Sequence, residues 1–455
     1  MSLMRPVLHE FELTVPDPPD VVFDWHRRQG AFARLLPPWQ PARIIDEADD
    51  LATGTAVLGL PAGRRWIARH VPEEYAEGRS FADRLTSRPF LVPIAWHHRH
   101  DFVAGPRGTT VVDRVTTGVP AGLIQPMFAF RHRQLADDLA AHRRARRSPR
   151  LTVAITGSSG LVGEALAAFL TTGGHRVVRL VRHAPAGPDQ RRWDPHAPEA
   201  PALEGVDAVV HLAGHSIAGR FTREHKERIR SSRVEPTRLL AAAAARAGVS
   251  VFVSASAIGF YGAERGSEEL DEDAAPGEDF LARVVRDWEE AALSAASSQM
   301  RVVAVRTGIV QSPRGGALRL QRPLFAAGLG GPMGGGAQWQ SWIAIDDLVD
   351  VYHQALTDPR LSGPINAVSP HPVRQRQYAE TLARTLRRPA LLPTPSLGPR
   401  LLLGGEGAKE VAFADQRVIP SRLQEIGHPF RFAGLEDALR HLLGRSESPG
   451  SVPER

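Results

Sequence analysis

Residues Leu151–Leu166 read LTVAITGSSGLVGEAL. The first six are apolar or β-branched and predict a buried strand. Gly157, Gly160 and Gly163 then follow at the spacing G-x-x-G-x-x-G, and apolar residues resume at Leu161 with the period of a helix. A strand that turns sharply into a helix beneath a pyrophosphate needs glycine at such places. The turn requires one, the approach of backbone to phosphate a second, and the packing of helix on sheet a third. The amides at the helix N-terminus then face the phosphates. The stretch predicts a dinucleotide-binding loop, with Gly157, Ser158, Gly160, Leu161, Val162 and Gly163 around the cofactor.

Strand and helix signals alternate downstream of this loop: HRVVRLVR, VDAVVHLAG, RLLAAAAARAG, VFVSASA, RVVRDWEEAA and RVVAVRTGIV. Alternation of this length predicts an α/β domain with a doubly wound parallel sheet over residues 150–443. Its second strand bears on the choice of dinucleotide. NAD sites place an acid at that strand's end, and NADP sites place an arginine there. HRVVRLVRH ends with Arg182 and has no acid before Asp189, which favours NADP(H) over NAD(H). Trp193 and Asp194 either edge the adenine pocket or form a turn.

Upstream, the pattern changes. HEFELTV alternates, with Phe11, Leu13 and Val15 on one face, and PDVVFDWHRR can start a helix. TAVLGL, RRWIARHV, SFADRLT, HHRHDFVAG and TTVVDRVTTGV are strand candidates, and LADDLAAHRRARR is helical. The order predicts an α+β domain over residues 5–147, a curved sheet around a helix. Ser148-Pro149 marks the boundary. WHHRHDF puts His98 and His100 on one strand face with Asp101 on the other. They read as a polar face or cavity rim, and no metal site is expected.

The chain has 455 residues, and its formal charge of +6 comes from 56 basic and 50 acidic residues. Only two of the basic residues are lysines, Lys226 and Lys409, and the arginines are spread along the chain. The one dense run, Arg143–Arg150, reads as a solvated linker, so no nucleic-acid partner is expected. The chain has no cysteine, which excludes disulfides and thiolate chemistry. No apolar run approaches the ~20 residues of a membrane span, and no signal peptide is evident. A cytoplasmic location is expected, with a disordered tail over residues 444–455.

TGSSGLVG, RRWDP, GVDAVVHLAGHSIAGRFT, SRVEPT, SASAIGFYG, GLGGPMGGGAQWQSWIAIDDLV and GPINAVSPHPV, in this order, resemble the epimerase family of atypical extended short-chain dehydrogenase/reductases. A family-specific C-terminal segment follows. The N-terminal order, with AFARLLPPWQPARII, is similar to the helix-grip fold of START-like, polyketide-cyclase-like (SRPBCC) domains. The second resemblance implies a cavity for an apolar ligand. The first implies an extended-reductase Rossmann domain acting on a small-molecule substrate. Leu212, Ala213 and Gly214 would lie beside the adenine ribose, Arg182 near the adenosine phosphate, and Ser256 in the active site.

Enzymes of this fold use Tyr-x-x-x-Lys as acid and cofactor anchor. Here Thr222 precedes Lys226 by four residues and Gly405 precedes Lys409 by four. The resemblance puts Phe280 and Val284 where Tyr and Lys belong. Tyr261 is then the expected substitute donor beside Ser256. The reading is an NADP(H)-dependent oxidoreductase with an atypical site. The alternative is a nucleotide-binding sensor or scaffold with little turnover.

Overall fold

The computed structural model describes residues 5–90, 94–390 and 397–446. The tail expected from residue 444 lies, from residue 447 on, outside the described residues. Packing divides the chain into two compact units. One holds the residues up to Arg147 with Ala168–Gly174 and Gly444 onward, and the other holds Ser148–Ala167 and His175–Leu443.

In the first unit seven antiparallel strands form one sheet: β1 (Val7–Val15), β2 (Arg43–Asp46), β3 (Thr55–Gly59), β4 (Arg65–His70), β5 (Ser80–Leu85), β6 (Trp96–Gly105) and β7 (Gly108–Thr117). Their order is β1-β7-β6-β5-β4-β3-β2. Phe11, Leu13 and Val15 are the less exposed side of β1, as strand alternation requires. Helices α1 (Pro19–Arg27), α2 (Ala31–Leu35) and α3 (Ala121–Arg144) complete the unit. Phe23, Trp25, Phe81, Phe102, Leu135 and Leu139 form its core, and Phe11 stacks on Phe128 with centroids 4.3 Å apart. Helix α3 begins far earlier than LADDLAAHRRARR suggests, and Pro126 lies inside it. A proline ring clashes with the carbonyl four residues back and normally ends a helix. Here that residue is Gly122, within the first turn.

The second unit holds a parallel sheet built from β8 (Thr152–Thr156), β9 (Arg176–Val181), β10 (Gln190–Arg192), β11 (Ala208–His211), β12 (Val251–Ala257), β14 (Arg301–Thr307) and β18 (Gly363–Ala367). Short strands β13 (Glu264–Leu270), β15 (Ile309–Gln311), β16 (Trp339–Gln340), β17 (Trp342–Ala344), β19 (Val373–Arg374) and β20 (Asp415–Val418) pair off to its side. The main order is β10-β9-β8-β11-β12-β14-β18. It reverses direction between β8 and β11, the switch point at which dinucleotides bind in such sheets. The helices that follow its strands include α4 (Leu161–Thr172), α5 (Arg223–Ser231), α6 (Val234–Arg246), α7 (Phe280–Leu293), α8 (Gly316–Ala326) and α9 (Ile345–Thr357). Val153, Ala154, Ile155, Val209, Phe252 and Val303 are fully buried, as strands covered on both faces must be. The mixed α/β class, with an antiparallel sheet domain ahead of the Rossmann sheet, is the one expected.

Candidate active site

The glycine loop joins β8 to α4. Gly157 has φ +65°, and a Cβ there would meet the backbone of Leu212 and Ala213 at 2.8–2.9 Å. A Cβ on Gly163 would lie 2.3 Å from the Gly157 carbonyl oxygen. The first glycine therefore admits the strand after the switch point, and the third admits the turn onto its own helix. Gly160 closes that turn by donating its amide to the Gly157 carbonyl at 3.0 Å. The Thr156 hydroxyl holds the two loops together. It accepts from the amides of Leu212 and Ala213 at 3.1 and 3.3 Å and lies 2.7 Å from His211 Nδ1. Burial keeps His211 neutral, with its pKa lowered to about 4. Gly157, Ser158, Gly160, Leu161, Val162, Gly163, Leu212, Ala213 and Gly214 thus lie at the switch point, where such sheets leave a crevice for a ligand, and side chains at Gly157 or Gly163 would force their backbones apart. These residues fit a dinucleotide.

Two arginines beside this crevice escaped the sequence reading. Arg179 donates from Nη1 to the Ser158 carbonyl at 3.4 Å, and its Nε lies 3.2 Å from Asp189. Arg233, from SRVEPT, packs against the backbone of Gly214, where a Cβ would meet its Cζ at 3.2 Å. Its guanidinium donates to the Ile229 carbonyl at 3.1 Å and stacks over Trp288 at 5.3 Å. Burial lowers its pKa to about 10. Arg182, at the end of β9, is exposed. Trp193 is only 4% exposed and belongs to the core with Leu240 and Phe252. Asp194 accepts from the His196 amide at 2.9 Å, so this pair is a core residue and a turn.

Ser256 ends β12 beside α7, and its Oγ donates to Glu289 Oε1 at 2.5 Å. Both oxygens of Glu289 also receive Arg306, from Nε and Nη2, at 2.9 Å each. Arg306 Nη1 then donates to the Tyr261 hydroxyl at 2.9 Å. The one Tyr261 proton is shared between the Asp271 carbonyl and Asn366 Oδ1, each at 2.7 Å. The structure therefore connects Ser256 to Tyr261, but through Glu289 and Arg306. Tyr261 is fully buried among Ile258, Leu270, Val368 and Val418. Burial pushes its pKa up to about 12. That environment differs from the one expected of a proton donor lining a pocket: the turn Ile258–Tyr261 directs the ring into the protein. The sequence could not reveal this, because the partners Arg306 and Asn366 come from strands distant in the chain.

Phe280 opens α7, behind the N-cap Asp279, whose side chain accepts from the Ala282 amide. The Lys226 ammonium stands 4.7 Å from the centre of the Phe280 ring and pairs with Glu406 at 2.5 Å. A lysine thus reaches the region where the resemblance leaves the Tyr and Lys positions empty, from α5 instead of α7. Thr222, four residues before it, is the N-cap of α5.

The first unit holds a partly open cavity of 620 Å³. Leu58, Trp66, Phe90, Trp96, Leu123 and Met127 line its apolar part, and His26, His70, Asp83, His98, His100 and Arg131 its polar end. His97 faces away and meets Glu74 at 2.8 Å. Asp113 is buried at the polar end, with His98 Nε2 at 2.8 Å and His132 Nε2 at 2.7 Å. Burial alone would raise its pKa, but His100 and the other imidazoles hold it well below the usual carboxylate range. Burial lowers His26 to about 4.

Comparison with known proteins agrees with this geometry. Residues 153–368 match the NAD dependent epimerase/dehydratase family, and residues 394–442 match a domain family of unknown function. An epimerase family protein of Mycobacterium bovis is 43% identical over 296 residues, 64% of this chain and 98% of that protein. The crystal structure of a Corynebacterium glutamicum protein described as a nucleoside-diphosphate sugar epimerase is 42% identical. It has a TM-score of 0.86 and covers 98% of this chain and 91% of its own. The human epimerase family protein SDR39U1, solved with NADPH, is 32% identical with a TM-score of 0.60. It covers 64% of this chain and 99% of its own. Among the described residues no helix is long and apolar enough to cross a membrane.

Proposed function

The chain belongs to the NAD dependent epimerase/dehydratase family, and from that premise we propose that residues 150–443 bind NADP(H) and act on a carbonyl or hydroxyl group of a small substrate. The observation that carries the reading is the cradle at the switch point. Gly157 and Gly163 let the loop turn tightly against Leu212–Ala213 and onto α4, the turn a pyrophosphate-binding loop needs, and Thr156 clamps the loop Leu212–Gly214 beside it. The cofactor supplies hydride transfer when bound. The residues of the chain do the rest. The α4 amides meet the phosphates, Arg233 supplies a cation beside Gly214, and Arg182 at the end of β9 selects the 2′-phosphate. NADPH in the human relative supports that selection. Ser256, polarised by Glu289, orients the substrate oxygen. Tyr261 positions Arg306 and through it Glu289. Lys226 stands over Phe280 as a cation at the mouth of α7.

The description of the Corynebacterium relative makes nucleoside-diphosphate sugars the first substrates to test. Titration of the protein with both cofactors is expected to show NADPH binding more tightly than NADH. Arg182→Asp should erase the preference, and Arg233→Met should weaken both cofactors alike. Equal affinities in the unaltered protein would overturn the NADP(H) assignment.

The enclosed Tyr261 hydroxyl and the Phe280 side chain favour a second reading, a nucleotide-binding sensor with little turnover. Loss of a general acid costs ~10²–10⁴ in rate. A panel of nucleotide sugars and simple carbonyls that yields no altered sugar and never changes the absorbance of NADPH would favour that reading. For the first unit we propose an apolar ligand along Leu58, Trp66 and Trp96, within a cavity of 620 Å³.

A further inference from the structure

We propose that Asp83, His98 and His100 bind a divalent first-row transition-metal ion at the inner end of the cavity in the first unit. The strand register brings the three together. Strands β5 and β6 pair Asp83 with His98 and Phe81 with His100, so both histidines and the carboxylate leave the sheet on one face. One ligand atom from each lies within 4.8 Å of the others. Side-chain rotation brings such a set onto bonds of ~2.1 Å, the usual length for nitrogen and carboxylate ligands.

The hydrogen bonds point the same way. Asp113 in its ionised form only accepts, so His98, 2.8 Å away through Nε2, must carry its proton there. Its other ring nitrogen, Nδ1, faces Asp83 Oδ2 at 3.6 Å. A nitrogen and a carboxylate oxygen at that separation can both reach one ion through bonds of ~2.1 Å. His100 Nδ1 is 2.8 Å from Asp113 Oδ1 but is not aligned for a hydrogen bond. Phe81 stacks on the His100 ring at 4.2 Å and fixes its plane. Asp113 thus stands behind His98 as the carboxylate that orients a metal-ligating histidine. The charges agree as well: one guanidinium, that of Arg131, faces the two carboxylates Asp83 and Asp113.

Two imidazoles and one carboxylate suit Fe²⁺, Co²⁺, Ni²⁺, Cu²⁺ or Zn²⁺ better than the oxygen-seeking Ca²⁺ or Mg²⁺. The remaining coordination positions open into the cavity. The sequence reading expected no metal, because Asp101, the acid it could see, points away. The acid that faces the histidines comes from the neighbouring strand.

The test uses the full chain without a polyhistidine tag, stripped with a chelator and titrated with Co²⁺ while visible absorption is recorded. One equivalent should bind and be displaced by Zn²⁺. Asp83→Asn and His98→Gln should each weaken binding at least tenfold, and Asp113→Asn ~10–100-fold. His183→Gln, at an exposed histidine, should change nothing. Absence of stoichiometric binding, or equal affinity in the Asp83 and His98 variants, overturns the proposal. If those variants do not fold, a Co²⁺-soaked crystal of the unaltered protein decides. An anomalous peak among the three side chains supports the site, and a peak elsewhere or none rejects it.

Discussion

Two buried polar clusters in this chain look alike in composition and differ in what they leave undone. Behind Ser256, Glu289, Arg306, Tyr261 and Asn366 each have their partners, and the glutamate and arginine pair through two bonds of 2.9 Å. In the first unit, Asp83, His98 and His100 surround a carboxylate and face a cavity with donor atoms still open. A closed network holds a fold together, because any member removed strands the others. An open one can accept a ligand. Burial and charge alone do not separate the two cases. Counting the lone pairs and protons does.

The largest effect should come from opening the closed cluster. Glu289→Ala leaves the Arg306 guanidinium buried without its carboxylate and takes the acceptor from Ser256. Breaking a buried ion pair on one side costs about 3–5 kcal/mol. Denaturant unfolding should show a loss of that order. A loss under about 1 kcal/mol would mean that water reaches the network and that its closure is illusory.

A third buried polar site lies between these extremes. Asp347, in the first turn of α9, accepts from the amides of Arg431 and Phe432 at 2.6 and 3.2 Å. Burial, then the neighbouring Asp350, raises its pKa to about 8. A carboxyl whose pKa folding raises is protonated in both states below the unfolded pKa, and above it the unfolded chain alone releases the proton, which favours unfolding. Its contribution is therefore fully present below the unfolded pKa and is lost as pH rises through about 8. Each pH unit inside that window removes about 1.4 kcal/mol. Asp347→Asn cannot ionise. Relative to the unaltered protein it should gain about 2–3 kcal/mol between pH 5 and 7. Parallel stability curves for the two proteins would show that Asp347 is already ionised when folded.

The fold was readable because its signals are local. LTVAITG, VFVSASA and RVVAVRTGIV each carry a buried strand within a few residues, and the glycine spacing fixes the turn between β8 and α4. Edge strands were missed. Gln190–Arg192 and Gly363–Ala367 are polar or short, and their pairing comes from neighbours that the local pattern does not name. The site divides in the same way. The backbone-lined nucleotide loop is written in its glycines. Arg233, Lys226 and the burial of Tyr261 depend on residues brought from other elements. Arg265 follows Tyr261 by four residues yet donates to its backbone carbonyl at 2.9 Å, so such a spacing says nothing about where a hydroxyl points once the chain turns.

The smallest expected effect is also the sharpest test of the difference between the clusters. In metal-free buffer with chelator, Asp83→Asn should change stability by no more than about 0.5 kcal/mol, the range of substitutions that break no required contact. The side chain loses its attraction to Arg131, which keeps that of Asp113. Its nearest partner, His98 Nδ1 at 3.6 Å, gives it no hydrogen bond to lose. If Asp83 were a brace like Glu289, the same substitution would cost several kcal/mol and the open cluster would be closed after all. If the variant proves more stable than the unaltered protein, the carboxylate is held there against the interest of the fold. Residues that cost stability collect where a protein keeps a function.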